Sequence, residues 1–167
     1  APPAVAAREP VRQLLSGPAG GLSAAARVAR ASGFDRALTL DVGGTSTDVA
    51  FLEGGELPRR RAREIGGFPV LLPMLDVHTV GAGGGSIAWV DEGGLPHVGP
   101  HSAGASPGPA AYGRGGPPTV TDALLVLGRI PLTALGDGAL VLDHEAAAAA
   151  VRAFGRRIGR RRPAAAA

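Results

Sequence analysis

Asp41 and Asp48 bracket the part of this 167-residue chain with the greatest chemical capacity, within LTLDVGGTSTDVAFLEGGEL from Leu38 to Leu57. Gly43 and Gly44 carry no Cβ, so the backbone there can approach an anion closely and turn its N–H groups toward it. Thr45, Ser46 and Thr47 add hydroxyl donors. The two carboxylates repel a phosphate directly, but they reach it through a hydrated divalent cation, which favours carboxylate and phosphate oxygens. Phosphate binding is the chemistry this pattern suits, and a decorated β-hairpin that binds nothing is the alternative. The nucleotide loop that ends in Gly-Lys-Ser/Thr is excluded, because all 17 basic residues are arginine.

The elements that must position this loop are two apolar runs. RALTLDV (36–42) reads as a buried strand and TDVAFLE (47–53) as the returning one. Glu53-Gly54-Gly55-Glu56 signals a hairpin turn into a third strand, ELPRRRAREI (56–65), which Pro58 places at an edge. Ahead of these, residues 1–15 form a Pro- and Ala-rich lead-in, with VRQLL (11–15) a candidate short strand. Ser16 to Gly21 reads as a glycine turn opening a helix of small residues that Gly33 ends in a left-handed cap. Beyond residue 65 the pattern predicts a short helix around Val70 to Leu75, then strands VHTV (77–80), SIAWV (86–90) and LPHVG (95–99). Nineteen residues, Pro100 to Pro118, form a loop, and a loop of that length inside a compact domain is more often functional than accidental. TVTDALLVLGRI (119–130) predicts a helix capped by Thr121 or Asp122, and from Glu145 a last helix runs into a low-complexity tail, with 146–167 an Ala/Arg-rich helix and tail whose last ten or so residues fray.

Composition narrows the classes. An apolar content of 45% supports a packed core, while 27 glycines and 15 prolines demand much turn and loop. The absence of cysteine excludes disulfides, thiolate metal sites and a cysteine nucleophile, and accords with a cytoplasmic setting. Arginines cluster at 59–63 and 156–162, but aromatic residues make up only 4% of the chain, leaving little on which bases could stack. These clusters read as solvated faces rather than a nucleic-acid surface. No apolar run approaches the roughly 18 residues of a membrane span, and the first residues lack the order of a signal peptide.

Five ordered segments carry a resemblance: SGPAGG, LDVGGTSTDVA, DVHTVGAGGGSIAWVD, VGPHSAGASPGPAAYGRGG and PTVTDALLVLGRI. Together they resemble the hydantoinase A and 5-oxoprolinase family over about Val11 to Asp143, within a partial nucleotide-binding domain spanning 16–145. The resemblance implies an α/β fold, one ribonuclease-H-like half of an actin-like ATPase, with a mixed sheet, an antiparallel hairpin and flanking helices. It implies ATP-dependent opening of a small cyclic amide of the hydantoin or 5-oxoproline type, through phosphorylation of the carbonyl oxygen. ATP with Mg2+ or another divalent cation is the expected cofactor pair, and a hydantoinase B-type subunit or domain the expected partner. An ATP-dependent carboxylase subunit and a non-catalytic assembly module are the other functional readings.

Carried over residue by residue, Asp41, Asp48 and His78 are the implied catalytic groups. Gly43, Gly44, Thr45, Ser46, Thr47, Gly83, Gly84 and Gly85 are the implied nucleotide contacts, although glycine repeats also serve simply to turn a chain. Asp41, Asp76 and His78 are the implied metal ligands. Asp76 and His78 alternate on an extended segment and so face one side, suited to a cation or proton transfer; an unpaired histidine is also commonly structural. Ser102, Pro107, Gly108, Pro109 and Tyr112 resemble a substrate-side wall, with a rigid connector as the alternative. Asp122 matches the family's Thr-Asp-Ala, or caps a helix. Ala111, Ser106 and His101 stand where relatives commonly have cysteine, aspartate and glutamate. Family members are several times longer, so the expectation is a fragment lacking the N-terminal half of the clamp and inactive alone.

Overall fold

A computed structural model of the chain describes residues 2–130 and 140–159. It is a mixed α/β structure whose contacts separate two compact units, Ala1–Asp41 with Asp48–Val80, and Val42–Thr47 with Gly81–Ala167. Among the described residues no helix is long and apolar enough to cross a membrane.

The first unit opens with α1 (Pro3–Arg8), a 3-10 turn (Pro10–Gln13) and α2 (Ser16–Ala31). Proline suits the first position of a helix, which is why Pro10 starts a helical turn where a strand was expected. The expected glycine turn at Ser16–Gly21 is instead the first turn and a half of α2. At its other end Gly33 takes φ +80°, with Phe34 N–H donating to the Ala29 carbonyl and Gly33 N–H to that of Arg30, the anticipated left-handed cap. Small residues give α2 a narrow buried face, Leu22 and Ala26, and Leu22 packs with Ala50 and Val77.

The strands are β1 (Ala37–Val42), β2 (Thr47–Leu52), β3 (Arg59–Arg60), β4 (Arg63–Ile65), β5 (Phe68–Val70), β6 (Met74–Leu75) and β7 (His78–Val80). The main sheet has the order β1-β2-β7. The expected third strand at 56–65 is therefore displaced from the sheet: its pairing with β2 ends at the single bridge Glu53↔Glu56. Pro58 withholds a ladder N–H, and a run of arginines is costly to bury, whereas Val77 brings an apolar side chain into the core. The segment divides instead, β3 pairing with β6 and β4 with β5, both antiparallel. The helix expected near Val70–Leu75 is also absent. Pro73 biases Leu72 toward extended backbone and leaves two short strands.

The second unit is built on the antiparallel hairpin β8 (Ser86–Val90) and β9 (Pro96–Ser102), with a register irregularity between Ser86 and Ala88. A 3-10 turn (Ala110–Tyr112), α3 (Val120–Val126) and α4 (His144–Arg157) complete it around Ala111, Leu125, Leu142 and Ala147. The cap of α3 is Thr119, two or three residues earlier than expected, in a capping box with Asp122. Asp122 is fully buried and accepts from the backbone N–H of Ala110 (3.2 Å), Ala111 (2.7 Å) and Thr119 (2.8 Å) and from the Thr119 hydroxyl (2.8 Å). One carboxylate thus ties the segment after β9, where the expected 100–118 loop begins three residues later than predicted, to the start of α3. The tail expected after α4 lies outside the described residues.

Removing that acceptor strands buried donors, each worth about 1–3 kcal/mol. Asp122→Ala is expected to lower the unfolding free energy by roughly 2–4 kcal/mol, read from the urea midpoint. A midpoint unchanged from the parent would contradict the hub role.

Candidate phosphate site

The loop between β1 and β2 belongs to the second unit and is built backbone on backbone. Gly43 N–H donates to the Ser46 carbonyl (2.9 Å), closing the bend. Its carbonyls face the second glycine segment: Gly84 N–H donates to Gly43 O (2.9 Å) and Gly85 N–H to Gly44 O (2.6 Å). A Cβ on Gly83 would sit 2.6 Å from Gly43 O and 2.8 Å from both Gly44 O and Ser46 N. A Cβ on Gly85 would sit 2.9 Å from Gly44 O. No side chain fits between the two segments, which is the physical reason for glycine there.

The second segment is itself anchored. The Ser86 hydroxyl accepts from Gly83 N–H (2.8 Å), and Thr121 donates to the Gly84 carbonyl from both its N–H (2.7 Å) and its hydroxyl (2.8 Å). Thr47 Oγ1 donates to the Ala82 carbonyl (2.5 Å). The amides of Gly83, Gly84 and Gly85 are thus all engaged by protein acceptors, so these residues hold the first loop in shape rather than offering N–H groups to a ligand. Gly44 and Thr45 are different. Both are exposed, and among the described residues their amides and the Thr45 hydroxyl have no protein acceptor. A cavity of about 270 Å³ opens beside them, lined also by Gly85, Pro109, Tyr112 and Thr121.

The carboxylates that flank the loop along the chain belong to the first unit. Asp41 and Asp48 line one cavity of about 540 Å³ between α2 and β1. Asp41 Oδ2 lies 3.7 Å from where a Cβ on Gly21 would stand, so the small residues of α2 leave that carboxylate room. Asp48 accepts from the Thr79 hydroxyl at 2.6 Å. Thr79 was not anticipated, since only the pairing of β7 beside β2 brings it there. Thr121 was expected only as a cap; its bond to the Gly84 carbonyl joins residues 37 apart, and no local pattern encodes it.

The implied metal ligands separate. Asp76 is paired with Arg60 (2.6 Å), and this hydrogen-bonded pairing raises the Arg60 pKa above its ordinary value. His78 is exposed and lies beyond the buried Val77. Among the described residues no three of His, Asp and Glu converge as a metal-binding group. Asp41 and Asp48 share a cavity whose other walls are mainly apolar, with Leu22, Val28, Leu38, Leu40 and Leu52 among its lining.

The whole of residues 1–167 matches the family described as Hydantoinase/oxoprolinase, and the chain belongs to that family. It is 44% identical over 153 residues to caprolactamase subunit alpha of Pseudomonas jessenii, covering 91% of this chain and 22% of that protein. It is 46% identical over 122 residues to 5-oxoprolinase of Saccharomyces cerevisiae, covering 72% of this chain and 9% of that one. Among solved structures, nucleotide-free acetone carboxylase superposes with a TM-score of 0.75 at 31% identity, over 90% of this chain and 22% of that chain. The chain thus spans only about a fifth of the length of caprolactamase subunit alpha.

Steric contact at the glycine stack separates two otherwise similar substitutions. Gly83→Ala drives a methyl into the Gly43–Ser46 backbone and is expected to cost about 1–3 kcal/mol. Gly44→Ala meets nothing within 4 Å and is expected to leave stability within about 0.5 kcal/mol after allowance for helix-neutral backbone entropy. Thermal unfolding of the two variants side by side checks this, and equal midpoints would contradict the stacked arrangement.

Proposed function

We propose that this chain supplies one phosphate-binding half of an ATP-dependent enzyme that opens a small cyclic amide. The observation that carries the reading is the pair of exposed, unengaged amides at Gly44 and Thr45 on a loop whose carbonyls are held from behind. Such a loop meets an anion with N–H groups already oriented, and phosphoryl transfer depends chiefly on positioning and charge neutralisation. Asp41 and Asp48 would hold a divalent cation, which when bound neutralises charge on the phosphates. Thr79 keeps the Asp48 carboxylate in one orientation.

An unstrained lactam is a poor electrophile because amide resonance protects its carbonyl carbon. In the proposed reaction the carbonyl oxygen bonds to the γ-phosphorus while the bond from that phosphorus to the bridging oxygen breaks, and ADP leaves with the electron pair. The ring N–H proton passes to a base, for which the flanking carboxylates and His78 are candidates. Water adds to the activated carbon, the ring C–N bond breaks as nitrogen takes a proton, and a second water attacks the carbon of the resulting acyl phosphate, breaking its C–O bond so that phosphate leaves with the original carbonyl oxygen. One lactam, one ATP and two waters give an amino acid, ADP and phosphate.

Leu38 and Leu40 on β1 are each 66% exposed, an apolar surface of the kind that a further part of an assembly covers. This supports a chain that works within a larger clamp and with a second subunit of the hydantoinase B type, as the relative named as a subunit suggests. A second reading, ATP-dependent carboxylation, is favoured by the likeness to acetone carboxylase. Bicarbonate dependence of ATP turnover separates the two.

With the clamp and partner subunit assembled, a lactam labelled with 18O at its carbonyl is expected to deliver label to inorganic phosphate, read by the isotope shift in 31P NMR. Asp41→Ala is expected to lower lactam-dependent ATP hydrolysis at least about 100-fold. Label confined to the carboxylate product, or unchanged turnover in the variant, would refute the mechanism or the site respectively.

A further inference from the structure

The cavity of about 270 Å³ in the second unit is shared between the phosphate loop and the long 100–118 segment. It is small. Pockets for drug-sized ligands run to roughly 300–1,000 Å³, and at about 30 Å³ per water this one holds on the order of nine water volumes. Its walls differ in character. Gly44 and Thr45 bring unengaged amides and a hydroxyl, Thr121 adds a buried hydroxyl committed to the Gly84 carbonyl, and Pro109 and Tyr112 bring flat apolar surface.

Tyr112 is fixed in this wall from two directions. Its ring rests on Gly108, which has φ +78° and where a Cβ would fall 2.3 Å from a ring carbon. Its backbone continues into Ala111, whose N–H is held by Asp122 at 2.7 Å. The phenolic oxygen has no protein hydrogen-bond partner among the described residues, and the residue is half-buried. A half-buried aromatic ring and unengaged amides that line one cavity bound a space for a small, flat, polar molecule.

We infer that this cavity receives the cyclic amide itself, and that Tyr112 is the specificity-determining residue that limits ring size. The inference rests on the functional reading above and adds to it the place and the size limit of the substrate. A lactam here has its carbonyl oxygen toward Gly44 and Thr45, where the transferred phosphate also binds, and its methylene edge against Tyr112 and Pro109. This order matches what attack of the carbonyl oxygen on phosphorus requires, with reacting atoms brought together by adjoining contacts.

The test uses the assembled enzyme and three unsubstituted probes, 2-pyrrolidinone, 2-piperidone and caprolactam, whose rings have five, six and seven members. One methylene in a pocket changes kcat/KM by about 10–200-fold. Tyr112→Ala is therefore expected to raise the kcat/KM ratio of the largest ring to the smallest by at least about tenfold, whereas Tyr112→Phe leaves the ratio within about twofold. Ala105→Leu, at an exposed residue lining the same cavity, adds bulk there and is expected to lower the same ratio. An unmoved ratio in both Tyr112→Ala and Ala105→Leu overturns the inference while leaving lactam-dependent ATP hydrolysis, and so the functional reading, standing. A ratio that changes only in step with KM for ATP also overturns it. Absence of any lactam-dependent ATP hydrolysis in the parent enzyme overturns the functional reading, and this inference with it.

Discussion

Two short glycine runs, distant along the chain, lie against each other with nothing but backbone between them. Gly84 and Gly85 donate into the carbonyls of Gly43 and Gly44, and the approach is so close that a single methyl on Gly83 would collide with three backbone atoms. A bend rich in glycine is entropically costly to order. Here the ordering comes from the opposite segment, which is pinned in turn by Ser86 and Thr121. With its carbonyls engaged behind, the first loop is left with N–H groups in front. That polarity, acceptors turned inward and donors outward, is the physical basis of the anion binding proposed for the loop.

The remaining architecture serves the same end at one remove. In the second unit, Asp122 joins the 3-10 turn at Ala110–Tyr112 to the cap of α3, so the proline-rich loop is held at both its middle and its end. In the first unit, α2 uses small residues to leave space at Asp41, and β7 presents Thr79 to Asp48. Asp76 is occupied by an arginine from the displaced third strand. Ion pairing on the surface thus takes away one carboxylate that simple alternation along the chain had placed with His78, and leaves the pair at Asp41 and Asp48.

Much of this was legible in sequence where the signal is local. The strand–loop–strand around Asp-x-Gly-Gly-Thr, the cap at Gly33, the β8–β9 hairpin and the terminal helix all follow from periodicity and turn chemistry. The failures share a cause. Nothing in ELPRRRAREI says that β2 will prefer Val80's strand to its own hairpin partner, because the choice rests on Val77 reaching a core formed with Leu22 and Ala50. Likewise the sequence of Gly83 to Gly85 does not show that their amides are engaged by Ser86, Gly43 and Gly44, which only the fold brings about. Thr79 and Thr121 carried no pattern at all, being defined by partners 31 and 37 residues away.

Which atoms meet phosphate is visible in a structure of the assembled enzyme with magnesium and a non-hydrolysable ATP analogue. Terminal phosphate oxygens are expected within hydrogen-bonding distance of the Gly44 and Thr45 amides, with Gly84 and Gly85 still bonded to the carbonyls behind. A nucleotide held elsewhere, or a loop that must break its bonds to the second glycine run before phosphate can enter, would contradict it.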